Sequence, residues 1–165
     1  MNQFKCSMKH SMTPWLGLLV LPLGLMLVLS GCAKINNYGL EAFSSTTQAA
    51  AIINGSLLQG KLRFYTDRTG TVSLESADEP ALTCFANLRF TASRNGVMNF
   101  KCSDGSDVQL NFVMINEISG HARGQGSKGP VSLAYGMKGT EALAYLTAPK
   151  GKTLAASPDG QLSME

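Results

Sequence analysis

Leu62-Arg63-Phe64-Tyr65-Thr66-Asp67-Arg68-Thr69-Gly70-Thr71-Val72-Ser73-Leu74 is echoed 26 residues later by Leu88-Arg89-Phe90-Thr91-Ala92-Ser93-Arg94-Asn95-Gly96-Val97-Met98-Asn99-Phe100. Five positions are identical, and in both copies apolar and polar residues alternate on either side of a four-residue polar turn with a glycine at its end. A period of two sends successive side chains to opposite faces of an extended chain, so each copy is expected to be a β-hairpin with one buried face. The echo is either one hairpin used twice or two hairpins that share turn chemistry. Leu110-Asn111-Phe112 begins a third match but lacks a glycine at the matching offset.

The same alternation extends outward from this pair. Strands are expected over residues 56–66, 70–76, 82–92, 96–103, 107–116, 118–126 and 130–136, punctuated by Asp, Asn and Gly. Asn95-Gly96 and Asp104-Gly105 are expected to make tight hairpin turns, because Asn and Gly tolerate positive φ. Short strands joined this way predict an all-β domain, a small antiparallel meander closing into a barrel or sandwich. Residues 140–146 predict a short C-terminal helix, with Thr140 as N-cap, Leu143 and Leu146 facing inward and Pro149 ending it.

The flanks lack such alternation. Residues 33–48, with Asn36-Asn37, Gly39 and Ser44-Ser45-Thr46-Thr47, show no sustained apolar period and predict a flexible tether. Sixteen flexible residues would span roughly 20–25 Å. Residues 150–165 are rich in Gly, Ser, Ala and Pro and predict a mobile tail. The expected organisation is a leader over residues 1–31, a lipidated cysteine and tether over 32–50, a β domain over 51–149 and a tail over 150–165.

Lys5, Lys9 and His10 precede an almost wholly apolar stretch over residues 15–30, the pattern of a secretory signal. Sixteen residues interrupted by Pro22 fall short of the roughly 20 that a spanning helix needs. The stretch ends in Leu29-Ser30-Gly31-Cys32, which resembles the lipobox of bacterial lipoproteins. That resemblance implies cleavage before Cys32, diacylglycerol on its thiol and an acyl group on its new amino terminus. Two or more acyl chains hold a protein stably on a membrane that it does not span. Ala33 stands where Asp would favour inner-membrane retention in Gram-negative lipoproteins, so the likeness implies the outer membrane, facing the periplasm. The body of the chain resembles only uncharacterised small proteobacterial lipoprotein domains with a Cys-Ser-Asp-Gly turn, here Cys102-Ser103-Asp104-Gly105, and this likeness implies no activity.

Without its leader the chain carries 12 basic and 11 acidic residues, a net charge of +1. That balance argues against a general polyanion binder, and no nucleic-acid partner is expected. Cys84 and Cys102 are the cysteines left once Cys6 departs with the leader and Cys32 is lipidated. In an oxidising compartment they are expected to form a disulfide, which stabilises a small domain by roughly 3 kcal/mol in the chain-entropy model. Alternation places Cys84 with Ala86, Leu88 and Phe90, and Cys102 with Phe100 and Met98. The turn brings the sulfurs within a register step or two, so a bulge near the turn is one way to let them meet. Two cysteines without a neighbouring histidine make a poor metal-ligand set.

Gly124-Gln125-Gly126-Ser127-Lys128-Gly129 matches a dinucleotide-site pattern in letters, but the following Pro130-Val131-Ser132-Leu133-Ala134-Tyr135 reads as a strand, with no helix N-terminus to receive a phosphate. Its glycines suit a loop or a close strand approach. The nucleophile-elbow pattern fails around Ser127, because Gln125 stands where glycine is required. His121, the only histidine after the leader, lies in an expected strand between Gly120 and Ala122 and suits a solvated or packed role. Asp67, Asp104 and Asp107 sit at turns, where Asp serves local hydrogen bonding. Met98, Met114 and Met137 suit core filling, and Tyr65 and Tyr135 suit either core or surface.

Arg63, Arg68, Arg89 and Arg94 occupy equivalent places in the two hairpins, and Arg63 and Arg89 are expected to point outward. Gathered on one side, four guanidinium groups would suit phosphate, carboxylate or an acidic protein surface. Left apart, they are solvated charges that protect sheet edges. The sequence therefore predicts a non-enzymatic, lipid-anchored envelope protein, either an interaction and assembly module for an envelope protein partner or a binder of envelope polymer or lipid. No cofactor is expected beyond the covalent diacylglycerol and N-acyl lipid on Cys32, and no metal.

Overall fold

The computed structural model describes residues 44–77 and 80–165. The leader and the Leu29-Ser30-Gly31-Cys32 motif lie outside the described residues. Eight antiparallel strands follow in order: β1 (Ser45–Ile53), β2 (Ser56–Phe64), β3 (Thr69–Ser76), β4 (Thr83–Phe90), β5 (Asn95–Cys102), β6 (Asp107–Met114), β7 (Gly120–Gly126) and β8 (Gly129–Tyr135). Each pairs with the next, and β8 returns to pair with β1, so the meander closes as a barrel. Closure leaves no free sheet edge to pair with another chain.

Alternation builds the interior. Even-numbered positions of β2 to β7 and odd-numbered positions of β1 and β8 point inward, and Leu58, Leu62, Val72, Leu74, Leu88, Met98, Phe100, Leu110, Phe112 and Leu133 fill the core. The seven strands expected over residues 56–136 are all present, with ends shifted by up to two residues. The eighth, β1, corrects the tether boundary, since residues 45–50 belong to the barrel and Ala49 and Ala50 are buried. Asn54 and Gly55, both at positive φ, turn β1 tightly into β2.

A second correction concerns Asn95-Gly96. The turn between β4 and β5 occupies residues 91–94, neither Asn95 nor Gly96 has positive φ, and Gly96 faces the core. Gly70, Gly96 and Gly120 occupy like places, paired with Phe64, Phe90 and Met114 on one side and with Leu88, Phe112 and Tyr135 on the other. The third copy of the echo is therefore real but offset, starting at Phe112-Val113-Met114 and reaching its glycine at Gly120. Asp104-Gly105 does form its turn, with Gly105 at φ 79°.

Cys84 and Cys102 are direct register partners with sulfurs at disulfide distance, 2.02 Å, and no bulge intervenes. The pair faces the core near one end of the barrel. Beyond β8 the chain forms a single helical turn, α1 (Gly139–Ala142), and a small hairpin of β9 (Leu154–Ala156) and β10 (Leu162–Met164). Thr140 lies inside α1 instead of capping it, and the N-cap position falls on Lys138. The expected mobile tail is thus replaced by a strand pair whose Leu162 is buried. Ala142, Leu146 and Leu162 cover outward-facing Ala50, Ile52 and Ala134, giving the seam between β1 and β8 an outer core of its own.

Candidate functional site

The two ends of the barrel differ in chemistry. One end carries the turns at residues 54–55, 103–106 and 127–128, and its side chains are polar and mutually bonded. The Asn54 amide donates to Asp104 Oδ2 at 2.9 Å and to Ser106 Oγ at 2.8 Å, and Lys128 Nζ lies 3.3 Å from Asp104 Oδ2. Asp104 Oδ1 accepts from both the backbone N–H and the hydroxyl of Ser106. These bonds, the Ser106 hydroxyl foremost, hold the Asp104 carboxyl down at about 2.

The other end carries the loops at residues 65–68, 91–94 and 115–119, together with the start of β1. A cavity of about 610 Å³ opens here, lined mainly by Phe64, Tyr65, Phe90, Met114 and Ile115, with the charged side chains Arg68, Arg94 and Glu117 also on its lining, two positive against one negative. Its size falls within the usual range for small-molecule pockets. Beneath it the rings of Phe64, Phe90, Phe112 and Tyr135 pack edge to face or tilted, with centroids 5.0–5.9 Å apart. Ile115 and Ile118 are large apolar side chains left exposed on the third loop, at 39% and 53%.

The four arginines divide into two pairs. Arg68 Nη2 donates to the Ala92 carbonyl at 2.6 Å and its guanidinium sits 5.4 Å from the centre of the Phe90 ring. Arg94 Nε donates to the Met114 carbonyl at 3.1 Å, and its Nη2 to the Ile115 carbonyl. Each arginine at the end of one loop thus clasps the next loop and stays at the cavity rim. Arg63 lies on the outer wall beside its register partner Thr46, with Nε 3.4 Å from the Thr46 hydroxyl. Arg89 is exposed on β4, and β3 separates it from Arg63, so the four do not gather into one patch.

The remaining sequence candidates take structural places. Gly124-Gln125-Gly126-Ser127-Lys128-Gly129 forms the end of β7, its tight turn and the start of β8. Gly124 faces the Leu110 side chain so closely that a Cβ would collide with it, which is the close strand approach its glycines suggest. His121 is half-buried on the outer wall, stacked on Tyr145 with ring centres 4.8 Å apart. Burial first, and Arg123 second, lower its pKa and favour the neutral ring. Asp67 Oδ1 accepts from the N–H and hydroxyl of Thr69, a turn bond like that of Asp104. Among the described residues, no group of three or more His, Cys, Asp or Glu side chains is placed to hold a metal.

Sequence reasoning missed the rim isoleucines and the cavity. Val113 and Ile115 continue the alternation of β6, and Ile118 reads as the start of the next strand, so the expected strands leave only residue 117 between them where the structure has a five-residue loop. The Asn-Glu pair at 116–117 was the available sign of a turn, and the Asn116 side-chain carbonyl indeed accepts from the N–H groups of Ile118 and Ser119. Comparison of the whole chain finds no matching family model, no matching curated protein and no matching solved structure.

Proposed function

We propose that this chain is a lipid-anchored envelope protein whose barrel acts as a non-enzymatic binding module, engaged through its open mouth. The observation that carries the reading is the difference between the two barrel ends: one is closed by polar turn-to-turn bonds, the other opens into a mainly apolar cavity whose charged lining is two arginines and one glutamate. An apolar cavity with a few fixed polar groups binds an apolar portion of a ligand and orients its polar end. The lipobox-like motif at Cys32 supports placement in the cell envelope, outer membrane before inner. Of the two sequence expectations, this favours the lipid-binding one, through the barrel mouth and not through the outer arginine face.

Two measurements test the reading separately. Intact-mass analysis of the full chain purified from bacterial membranes should give a species starting at Cys32 and heavier than its amino acids by the attached lipid. A chain retaining residues 1–31, or an unmodified Cys32, overturns the anchor. Photocrosslinking from a reactive residue at position 115, compared with one at position 128, should give adducts at the mouth alone. Adducts only from position 128 overturn the mouth as the contact surface.

A further inference from the structure

The mouth is also the end at which the chain arrives. Ser45, the first residue of β1, pairs with Phe64, which lines the cavity, while the other end of β1 turns back at Asn54-Gly55. Any membrane anchor preceding β1 therefore draws the barrel in by its mouth. Twelve residues separate Cys32 from Ser45, so an anchor at Cys32 lies close in sequence to the mouth. The exposed Ile115 and Ile118 stand at that same end, whereas the turns of the far end present Asn54, Asp104, Ser106 and Lys128, with Phe85 exposed on the outer wall of β4 nearby.

We infer that the mouth docks on the bilayer that holds the anchor and takes one acyl chain of an anionic phospholipid into the Phe64–Phe90–Met114 cavity. This rests on the anchored reading above. Ile115 and Ile118 insert at the headgroup boundary, as apolar side chains of interfacial segments do. Arg68 and Arg94 are held at the rim by neighbouring carbonyls and present their outer N–H groups to the lipid phosphate. The cavity receives the chain without closing, because its floor of aromatic rings is already packed.

The test is tryptophan quenching in vesicles of phosphatidylethanolamine and phosphatidylglycerol, the latter with brominated acyl chains. The full chain is reconstituted as Ile118→Trp, Tyr65→Trp and Lys128→Trp, with the parent run alongside to subtract Trp15, the one native tryptophan. Emission from positions 118 and 65 should fall by about half, as expected for apolar residues within reach of acyl chains, with position 128 unchanged. Quenching at 118 without quenching at 65 overturns acyl uptake. Equal quenching at 128, or none at 118, overturns the orientation. The parent separates the two levels: Trp15 emission in the purified chain means a retained leader and a failed anchor reading, whatever the mouth positions report.

Discussion

Gly96 governs how closely β5 and β6 can pack at the aromatic end of the barrel. A Cβ there would overlap the Phe112 ring and the Arg89 carbonyl, and neither the core ring nor the backbone has room to yield. Gly96→Ala is expected to cost about 2 kcal/mol in urea unfolding, the usual scale for overpacking a tight core. Gly105→Ala is the control: it has open space around it but sits at φ 79°, so its cost comes from backbone conformation alone, about 1 kcal/mol. Equal costs would show that the Phe112 contact is slack. Tyr135 lies on the same ring of residues, 1% exposed, its hydroxyl without a hydrogen-bond partner among the described residues and its ionisation pushed up by burial. Removing a buried unpartnered hydroxyl relieves a desolvation cost, so Tyr135→Phe should raise the unfolding free energy by about 1 kcal/mol. A loss of stability would show that the hydroxyl is satisfied.

At the scale of elements, one carboxylate ties three hairpin turns together. Asp104, in the β5–β6 turn, accepts from Ser106 in its own turn, from Asn54 in the β1–β2 turn and from Lys128 in the β7–β8 turn. Its folded-state pKa of about 2 lies below its ordinary 3.8, so the stability it supplies is complete above about pH 4 and is lost as pH falls toward 2. Asp104→Asn should be less stable than the parent by about 1 kcal/mol at pH 7, after discounting for solvent screening, and equal to it near pH 2. A difference that persists at pH 2 would assign the effect to shape and not to charge. The turns also show what the sequence made legible. Six strands, β2 to β7, could be read because each has a solvated face, and alternation records that asymmetry; β8 is buried throughout residues 131–135, but Ser132 still interrupts its apolar run. In β1, five successive residues from Ala49 to Ile53 are buried on both faces, which erases the alternation, although Asn54-Gly55 marked the hairpin behind it. Asn95-Gly96 carried the same letters as a turn, but its glycine serves side-chain clearance. The disulfide pair was legible from which face each cysteine takes. The cavity was not, because it depends on how three loops distant in sequence meet around a closed ring.

At the scale of the whole molecule, the barrel is weakest where it closes. β1 and β8 share four paired positions, Ala49 to Ile52 against Tyr135 to Ser132, whereas β1 and β2 share nine. The outward side chains along this seam are apolar, Ala50, Ile52 and Ala134, and would expose a hydrophobic strip if left bare. The C-terminal segment covers it. Leu162 is buried over the strip, the Gln59 side chain donates to the Leu162 carbonyl at 3.1 Å, and Thr153 and Glu165 exchange backbone hydrogen bonds that close the β9–β10 hairpin. The buried Ser132 hydroxyl on β8 accepts from the Thr147 N–H, fastening the connecting segment to the same strand. Loss of residues 154–165 should therefore destabilise the closed ring by about 3 kcal/mol, the scale of burying one or two large apolar side chains. It should also speed hydrogen exchange at the β1–β8 seam before it does so around β4 and β5, where seven register pairs and the disulfide hold the strands together. Leu162→Asp should reproduce most of that loss without shortening the chain, which separates seam coverage from any general effect of truncation. If the truncated and substituted chains both unfold at the parental urea concentration, the segment is a tail after all and the barrel closes on its four rungs alone.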